Sequence, residues 1–104
     1  MTVKKCSIVK IKRDSEYCQL EIKIEEGINT LITLPIQQAK EKIPLVLNGK
    51  ELSSVDMNYG VVNILFYKTK SNEYCFVVNN SLNEQYVLDN LAEFKLREFL
   101  EQCK

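Results

Sequence analysis

The chain has 104 residues, which is enough for one domain and too few for two, so residues 1–104 are expected to form a single domain. Its composition, 45% hydrophobic and 27% charged, excludes disordered, collagen-like and coiled-coil proteins. Fourteen Lys and Arg residues balance fourteen Asp and Glu residues, and there is no histidine. The missing histidine removes the serine–histidine triad, the cysteine–histidine dyad and the usual proton shuttle at neutral pH, which argues against an enzyme.

The cysteines are spread along the chain without the close C-x-x-C pairs that structural zinc sites usually contain: they are Cys6, Cys18, Cys75 and Cys103. The sequence therefore predicts no metal and no cofactor.

The longest apolar run, residues 74–78, is far shorter than the roughly 20 residues of a membrane span, and the basic start of the chain lacks the apolar core of a secretion signal. We expect a cytoplasmic protein without membrane contact, whose cysteines are reduced and buried.

Residues 3–13 and 17–25 predict two antiparallel strands joined by a tight turn at Asp14 and Ser15. A two-residue turn pairs Ile11 with Cys18 and fixes which side chains share a face. In this register the side chains expected to point toward the core are Val9, Ile11, Cys18 and Leu20, and those expected to point toward solvent are Lys10, Lys12, Tyr17 and Gln19.

Residues 28–34 predict a third strand, and the following residues 36–43 predict a helix of about two turns. The two prolines that bracket this segment support the helix boundaries. Pro35 suits a first helical turn, and Pro44 disfavours helical geometry in the residue that precedes it.

Asn48 and Gly49 stand between apolar residues and predict a type I′ hairpin turn, because both residues tolerate the positive φ angles that this turn requires. Residues 45–52 would then be a short hairpin. Residues 53–60 show neither helical nor alternating periodicity and predict an irregular loop.

Residues 61–69 and 73–79 predict another hairpin, which turns around Ser71 and Asn72 and is apolar on both faces. One predicted face carries Val62, Ile64, Phe66 and Val77, and the other carries Val61, Leu65, Tyr67, Phe76 and Val78. A strand pair that is apolar on both faces has to be covered on both, and the remaining helix can cover only one of them. We therefore expect either a buried centre or a contact with another chain here.

The C-terminus predicts an amphipathic helix over residues 91–103, with Asn90 and Glu93 at the spacing of a capping box. Its apolar stripe consists of Leu88, Leu91, Ala92, Leu96, Phe99, Leu100 and Cys103. Residues 84–89 are compatible with a short strand or with an earlier start of this helix, since short apolar runs do not separate the two.

Together these elements predict an α+β fold, with a mostly antiparallel sheet of six or seven strands and the C-terminal helix packed on it.

For function, the absence of catalytic residues and the neutral charge favour a small non-catalytic protein-binding module: a regulator, inhibitor or adaptor, with a homodimer as one arrangement. Such short chains are compatible with proteins encoded by phages or other mobile elements. The expected contact residues, rich in aromatic side chains as interface centres are, are Val61, Leu65, Tyr67, Phe76, Val78 and Phe94.

A weaker alternative is binding of single-stranded nucleic acid. Lys4, Lys10 and Lys12 are expected on one face of the first strand, with Tyr17 opposite Lys12, and lysines beside an aromatic ring on an open sheet combine phosphate contact with base stacking. The zero net charge and the scarcity of arginine count against this function. A second alternative is an enzyme with an unrecognised lysine, tyrosine or carboxylate site.

Overall fold

A computed structural model describes residues 2–24, 27, 29–49, 54–79 and 84–103. These residues form seven strands and two helices: β1 (Thr2–Arg13), β2 (Tyr17–Ile24), β3 (Thr30–Pro35), α1 (Ile36–Leu47), β4 (Ser54–Tyr59), β5 (Val62–Lys68), β6 (Tyr74–Asn79), β7 (Glu84–Leu88) and α2 (Asn90–Gln102). The strands belong to one mixed, mostly antiparallel sheet, and α2 packs on it. The predicted fold class is confirmed.

The strand order is β3-β2-β1-β7-β6-β5-β4, so the sheet consists of two antiparallel groups that meet at its centre. The meeting point is a parallel pairing of β1 with β7, from Thr2 opposite Glu84 to Cys6 opposite Leu88. The backbone N–H of Asp89 then donates to the carbonyl of Cys6 at 3.1 Å, which places the start of α2 directly beside β1. The first and last strands of the described residues therefore hold the two groups together.

The sheet curls so strongly that its two edge strands approach each other. Some Cα atoms of β3 and β4 lie within 8 Å, although no ladder joins these strands in the described part of the chain. Helix α1 closes part of the gap. Gln38 exchanges two hydrogen bonds with the backbone of Asn58, and Lys42 donates to the carbonyl of Asp56 at 2.6 Å. These contacts satisfy edge groups of β4 that would otherwise be open to pairing with another chain.

The core lies between one face of the sheet and both helices. Its largest fully buried side chains, Phe66 of β5 and Phe76 of β6, stand opposite each other with ring centroids 4.6 Å apart. Helix α1 contributes Ala39, Ile43, Val46 and Leu47, and α2 contributes Ala92, Leu96 and Phe99. We call the face of the sheet that points away from both helices the outer face.

A β-bulge at Val9 changes which side chains of β1 point inward, and the predicted register is wrong there. Ile8 pairs with Ile22 and Lys10 with Glu21, so Val9 has no partner on β2 and is exposed. The turn is also longer than expected, because the carboxylate of Asp14 accepts from two backbone N–H groups and the chain reverses over four residues. Ile11 therefore pairs with Leu20 and not, as predicted, with Cys18. Cys6 and Ile8, rather than Val9, therefore fill the core beside β2.

The predicted helix over residues 36–43 extends to Leu47, and the hairpin expected at Asn48 and Gly49 is absent. Pro44 lies inside the helix, and Asn48 is its C-cap. An Asn-Gly pair also suits the end of a helix, where the chain leaves helical geometry, so its presence does not separate the two structures. Residues 50–53, which would complete the predicted hairpin, lie outside the described residues.

Residues 54–59 form strand β4 rather than the expected loop, and β4 continues into β5 through a two-residue turn. Tyr59 pairs with Val62, which leaves Gly60 and Val61 as the turn. Gly60 has a φ angle of 59°, as the first position of a type II′ turn requires. Val61 is 100% exposed at the tip of the turn and belongs to neither face of the sheet.

The predicted faces of the β5–β6 hairpin are wrong by one residue of register. The loop runs over residues 69–73 and closes with a hydrogen bond from the backbone N–H of Thr69 to the carbonyl of Glu73, and Asn72 takes a positive φ of 65°. Lys68 therefore pairs with Tyr74. Because side chains alternate along a strand, this one-residue slip moves Phe76 and Val78 to the core side and Val77 to the outer face.

Residues 84–88 form a strand, which resolves the alternative left open by the sequence. Helix α2 begins one residue earlier than expected, because Asp89 rather than Asn90 is the N-cap and its carboxylate accepts from the N–H of Ala92 at 2.9 Å. Leu91, placed on the buried stripe by the sequence pattern, is 66% exposed.

The turn at Gly60 allows a direct test of the β4–β5 hairpin. We predict that Gly60→Ala lowers the free energy of unfolding by about 1–2 kcal/mol, because a side chain at this positive φ is strained although the space around it is open. Urea unfolding measures the change. Gly27→Ala is the matched control, since Gly27 has no positive φ and should tolerate alanine. Equal effects at the two glycines would contradict the turn geometry.

Candidate functional site

The residues that the sequence proposed as a contact surface do not lie together. Phe76 is fully buried in the core, and Val78 packs partly against the core. Leu65 and Tyr67 are half-buried on the outer face, Val61 lies at the tip of a turn, and Phe94 lies on α2. The single apolar hairpin surface that was expected is therefore not formed.

At the centre of the outer face, the polar side chains contact one another. Tyr67 stands opposite Cys75, and the amide of Gln85 donates to the hydroxyl of Tyr67. Burial raises the pKa of the Tyr67 hydroxyl and of the Cys75 thiol above their ordinary values. Both groups therefore stay protonated at neutral pH, and this face presents a closed polar contact around a buried thiol.

The exposed surface of α2 carries two large apolar side chains that are not part of the core. Leu91 is 66% exposed and Phe94 is 65% exposed. The two residues are three positions apart and therefore lie on one side of the helix. We call them the Leu91–Phe94 patch. Glu98 follows on the same side, four residues after Phe94.

The cations of α2 are turned away from this patch and toward the protein's own backbone. Lys95 donates to the carbonyl of Val9 at 3.1 Å, in the β1 bulge. Arg97 donates to the carbonyl of Leu47 at 2.8 Å, at the end of α1, and forms an ion pair with Glu93 at 3.4 Å. The acidic side chains of α2 therefore dominate its outward surface.

A cleft of about 350 Å³ lies beside the first turn of α2, against the β5–β6 loop, and we call it the α2 cleft. It is lined by Lys68, Asn72, Glu73, Tyr74, Leu88, Asp89, Asn90 and Glu93. Its lining therefore has three carboxylates and one ammonium group, and one of the carboxylates, that of Glu93, is already paired with Arg97. That ammonium, on Lys68, already lies over the ring of Tyr74, 5.7 Å from its centroid. The cleft is suited to a cationic group.

The lysines proposed for nucleic-acid binding are divided between the two sides of the sheet by the Val9 bulge. Lys10 and Lys12 pair with Glu21 and Gln19 and lie on the outer face. Lys4 precedes the bulge, pairs with Tyr86 and lies on the core side, with its ammonium 5.9 Å from the centroid of the Tyr86 ring. The expected row of three lysines on one face is therefore wrong.

A second cleft, of about 370 Å³, brings together two of the proposed nucleic-acid residues, Lys12 and Tyr17. We call it the β1–β2 cleft. Its lining residues are Lys12, Arg13, Asp14, Tyr17, Gln19, Thr33 and Tyr59. The rings of Tyr17 and Tyr59 are in edge-to-face contact, with centroids 5.0 Å apart, across the gap between the two edges of the curled sheet.

Arg13 and Tyr59 belong to this cleft and were not identified from the sequence. Tyr59 lay in a segment predicted to be a loop, and only the curl of the sheet brings it to Tyr17. Arg13 is held by α2, because its guanidinium donates to the carbonyl of Gln102 at 3.2 Å and to the sulfur of Cys103 at 3.0 Å. No local sequence signal indicates either contact.

Neither helix of the described chain has the length and apolar character needed to cross a membrane. The described residues also contain no group of three or more histidine, cysteine, aspartate or glutamate side chains arranged to hold a metal ion.

No family model matches the chain, and neither curated proteins nor solved structures show a match. The surfaces of the molecule therefore have to indicate its function.

The cysteines are free and buried, and this has a measurable consequence. Burial raises the pKa of Cys6 and of Cys18 to about 12 in each case. Because the thiolate is the reactive form, we predict that a short pulse of iodoacetamide at about pH 8.5 leaves Cys6, Cys18 and Cys75 unmodified in the native protein and alkylates all of them in guanidinium chloride. Peptide mass spectrometry measures the extent at each position. Rapid alkylation of Cys18 in the folded protein would contradict its placement in the core.

Proposed function

We propose that this protein is a small, non-catalytic binding protein that engages a protein partner through the outward surface of α2. The partner presents an apolar pocket with basic residues at its rim. The protein would act by occupying that pocket, as a regulator, inhibitor or adaptor does. The observation that carries the proposal is the exposure of Leu91 and Phe94 beside a cleft with three carboxylates.

The apolar part of the surface fits the centre of an interface. Aromatic side chains are enriched at such centres, where a few residues supply most of the binding energy. Phe94 is rigidly placed, because the opposite side of its helix is fixed in the core by Leu96 and Phe99. A partner would therefore meet an aromatic side chain whose backbone needs no further ordering.

The free energy available from burying the Leu91–Phe94 patch is too small for binding without additional contacts. Complete burial of a leucine or phenylalanine side chain contributes roughly 1.5–3 kcal/mol. With about two thirds of each side chain still to be buried, the pair supplies on the order of 3 kcal/mol. The loss of translational and rotational freedom on association costs at least about 4 kcal/mol. The α2 cleft is the adjoining surface that can make up the difference.

The charges favour a basic partner. Glu98 lies beside the patch, and the α2 cleft adds Glu73 and Asp89, whereas the charge of Glu93 is offset by its ion pair with Arg97. Opposite charge at the rim of an interface accelerates encounter and selects among partners more than it raises affinity. A second copy of the chain could supply the basic part of this chemistry, because Lys10 and Lys12 lie on the outer face of β1. Light scattering distinguishes such a homodimer from a 12.1 kDa monomer.

We predict that Phe94→Ala and Leu91→Ala together abolish capture of the partner while leaving the melting temperature nearly unchanged, since neither side chain is part of the core. The measurement is affinity capture from a lysate of the source organism with quantitative mass spectrometry, comparing the wild type with the double variant. Leu45→Ala is the matched control, because Leu45 is 61% exposed on α1, the other helix. Capture should survive this control substitution.

Two results would contradict the proposal. One is a set of captured proteins that the double variant retains, which would place the contact elsewhere on the molecule. The other is an equal loss with Leu45→Ala, which would indicate nonspecific adhesion of apolar side chains. A captured partner should in addition dissociate more readily as the salt concentration rises, because the rim contacts are ionic.

A further inference from the structure

The β1–β2 cleft has a chemistry different from that of α2 and lies at the open end of the curled sheet. Its floor is a row of polar side chains on three adjacent strands: Lys12 is paired with Gln19, and Gln19 with Thr33. Directly opposite residues in antiparallel strands have Cβ atoms about 4.5–5.5 Å apart, so these three groups can contact one ligand. The ammonium of Lys12 has no hydrogen bond or ion pair within the described residues.

The wall of the cleft is aromatic. Tyr17 and Tyr59 are in edge-to-face contact at an interplanar angle of 83°, and Tyr59 remains 41% exposed. An exposed ring beside a cation is the arrangement that binds a base by stacking and its phosphate by charge. Tyr59 lies on the edge strand β4 and Tyr17 on β2, next to the opposite edge strand β3, so the cleft exists only in the folded, curled sheet.

The charges of the cleft are two cations and one carboxylate. Arg13 is oriented by the end of α2 through its bonds to Gln102 and Cys103. The backbone N–H groups of Tyr17 and Glu16 donate to Asp14 and lower the pKa of its carboxyl, so it is ionised at neutral pH. One of its oxygens is occupied by these bonds, which leaves the other as an acceptor for an amino or hydroxyl group. The net charge of the cleft is positive.

We propose that the β1–β2 cleft binds a phosphorylated nucleoside, with its base against the Tyr17–Tyr59 pair and its phosphate on Lys12 and Arg13. The cleft volume of about 370 Å³ lies within the range of small-ligand sites, which begins near 300 Å³. The nucleoside phosphate could come from a free nucleotide or from one unit of a single strand, and the chemistry of recognition is the same for both. This site is separate from the α2 surface and does not depend on the function proposed for that surface.

The test is titration of the isotope-labelled full chain with adenosine monophosphate, followed by amide NMR shifts. We expect shifts confined to residues around Lys12, Gln19, Thr33 and Tyr59, and binding at least fivefold weaker for adenosine and for inorganic phosphate, each of which lacks half of the contacts. Absence of shifts at millimolar adenosine monophosphate would overturn the proposal.

Variants separate a specific site from diffuse attraction. Lys12→Gln should weaken binding about tenfold, whereas Lys10→Gln, on the same outer face but outside the cleft, should leave it unchanged. Tyr59→Leu should weaken binding and Tyr59→Phe should preserve it, because the ring and not the hydroxyl makes the stack. Equal losses with Lys12→Gln and Lys10→Gln would overturn the site, and this comparison decides even if Tyr59→Leu fails to fold.

A ten-nucleotide oligothymidylate identifies the source of the ligand. If it binds more tightly than adenosine monophosphate and shows the same dependence on Lys12, the cleft accepts one unit of a single strand. If it binds no more tightly, the ligand is a free nucleotide. Either result supports the cleft, whereas oligonucleotide binding that is unaffected by Lys12→Gln would place the contact elsewhere and contradict the proposal.

Discussion

The parallel pairing of β1 with β7 is the contact on which the rest of this structure depends. It joins strands from the two ends of the described chain and unites two antiparallel groups that would otherwise be separate sheets of three and four strands. Through the bond from Asp89 to Cys6 it also fixes where α2 begins. A pairing between such distant segments carries a high loop-closure cost, so it must be stabilised by the core that forms with it.

Both proposed surfaces follow from this joint. The position of α2 across β1 and β7 buries Leu96 and Phe99 and leaves Leu91 and Phe94 outside. The curl of the united sheet brings β4 back toward β3, and Tyr59 thereby reaches Tyr17. One surface is apolar and acidic, and the other is aromatic and basic. The zero net charge of the chain thus conceals two regions of opposite character, each suited to a different kind of ligand.

The sequence predicted most elements, but it missed β4 and the full length of α1, and it misplaced side chains where one extra residue shifts a register. The alternating pattern of β2 and the capped, amphipathic α2 are local signals, and both elements are present. The bulge at Val9 and the five-residue loop before β6 each shift a register by one residue. Lys4 and Phe76 therefore lie on the face opposite to the one that the alternating pattern predicted. The cleft residue Tyr59 depends on the curl of the whole sheet and has no local signature. Lys12 and Tyr17 line one cleft on the outer face because they belong to one short hairpin, but the predicted pairing of the two is wrong, since the longer turn places Gln19 opposite Lys12.

Native-state hydrogen exchange tests the central joint most directly. If β1–β7 pairing holds the two groups together, the amide of Asp89, which donates across the joint to the carbonyl of Cys6, should open only with the same free energy as the ladder amides of β5, and this free energy should equal that of global unfolding by urea. Exchange of the Asp89 amide at a free energy about 2 kcal/mol or more below that of β5 would show that the two groups separate independently, and it would contradict the central role of the β1–β7 pairing.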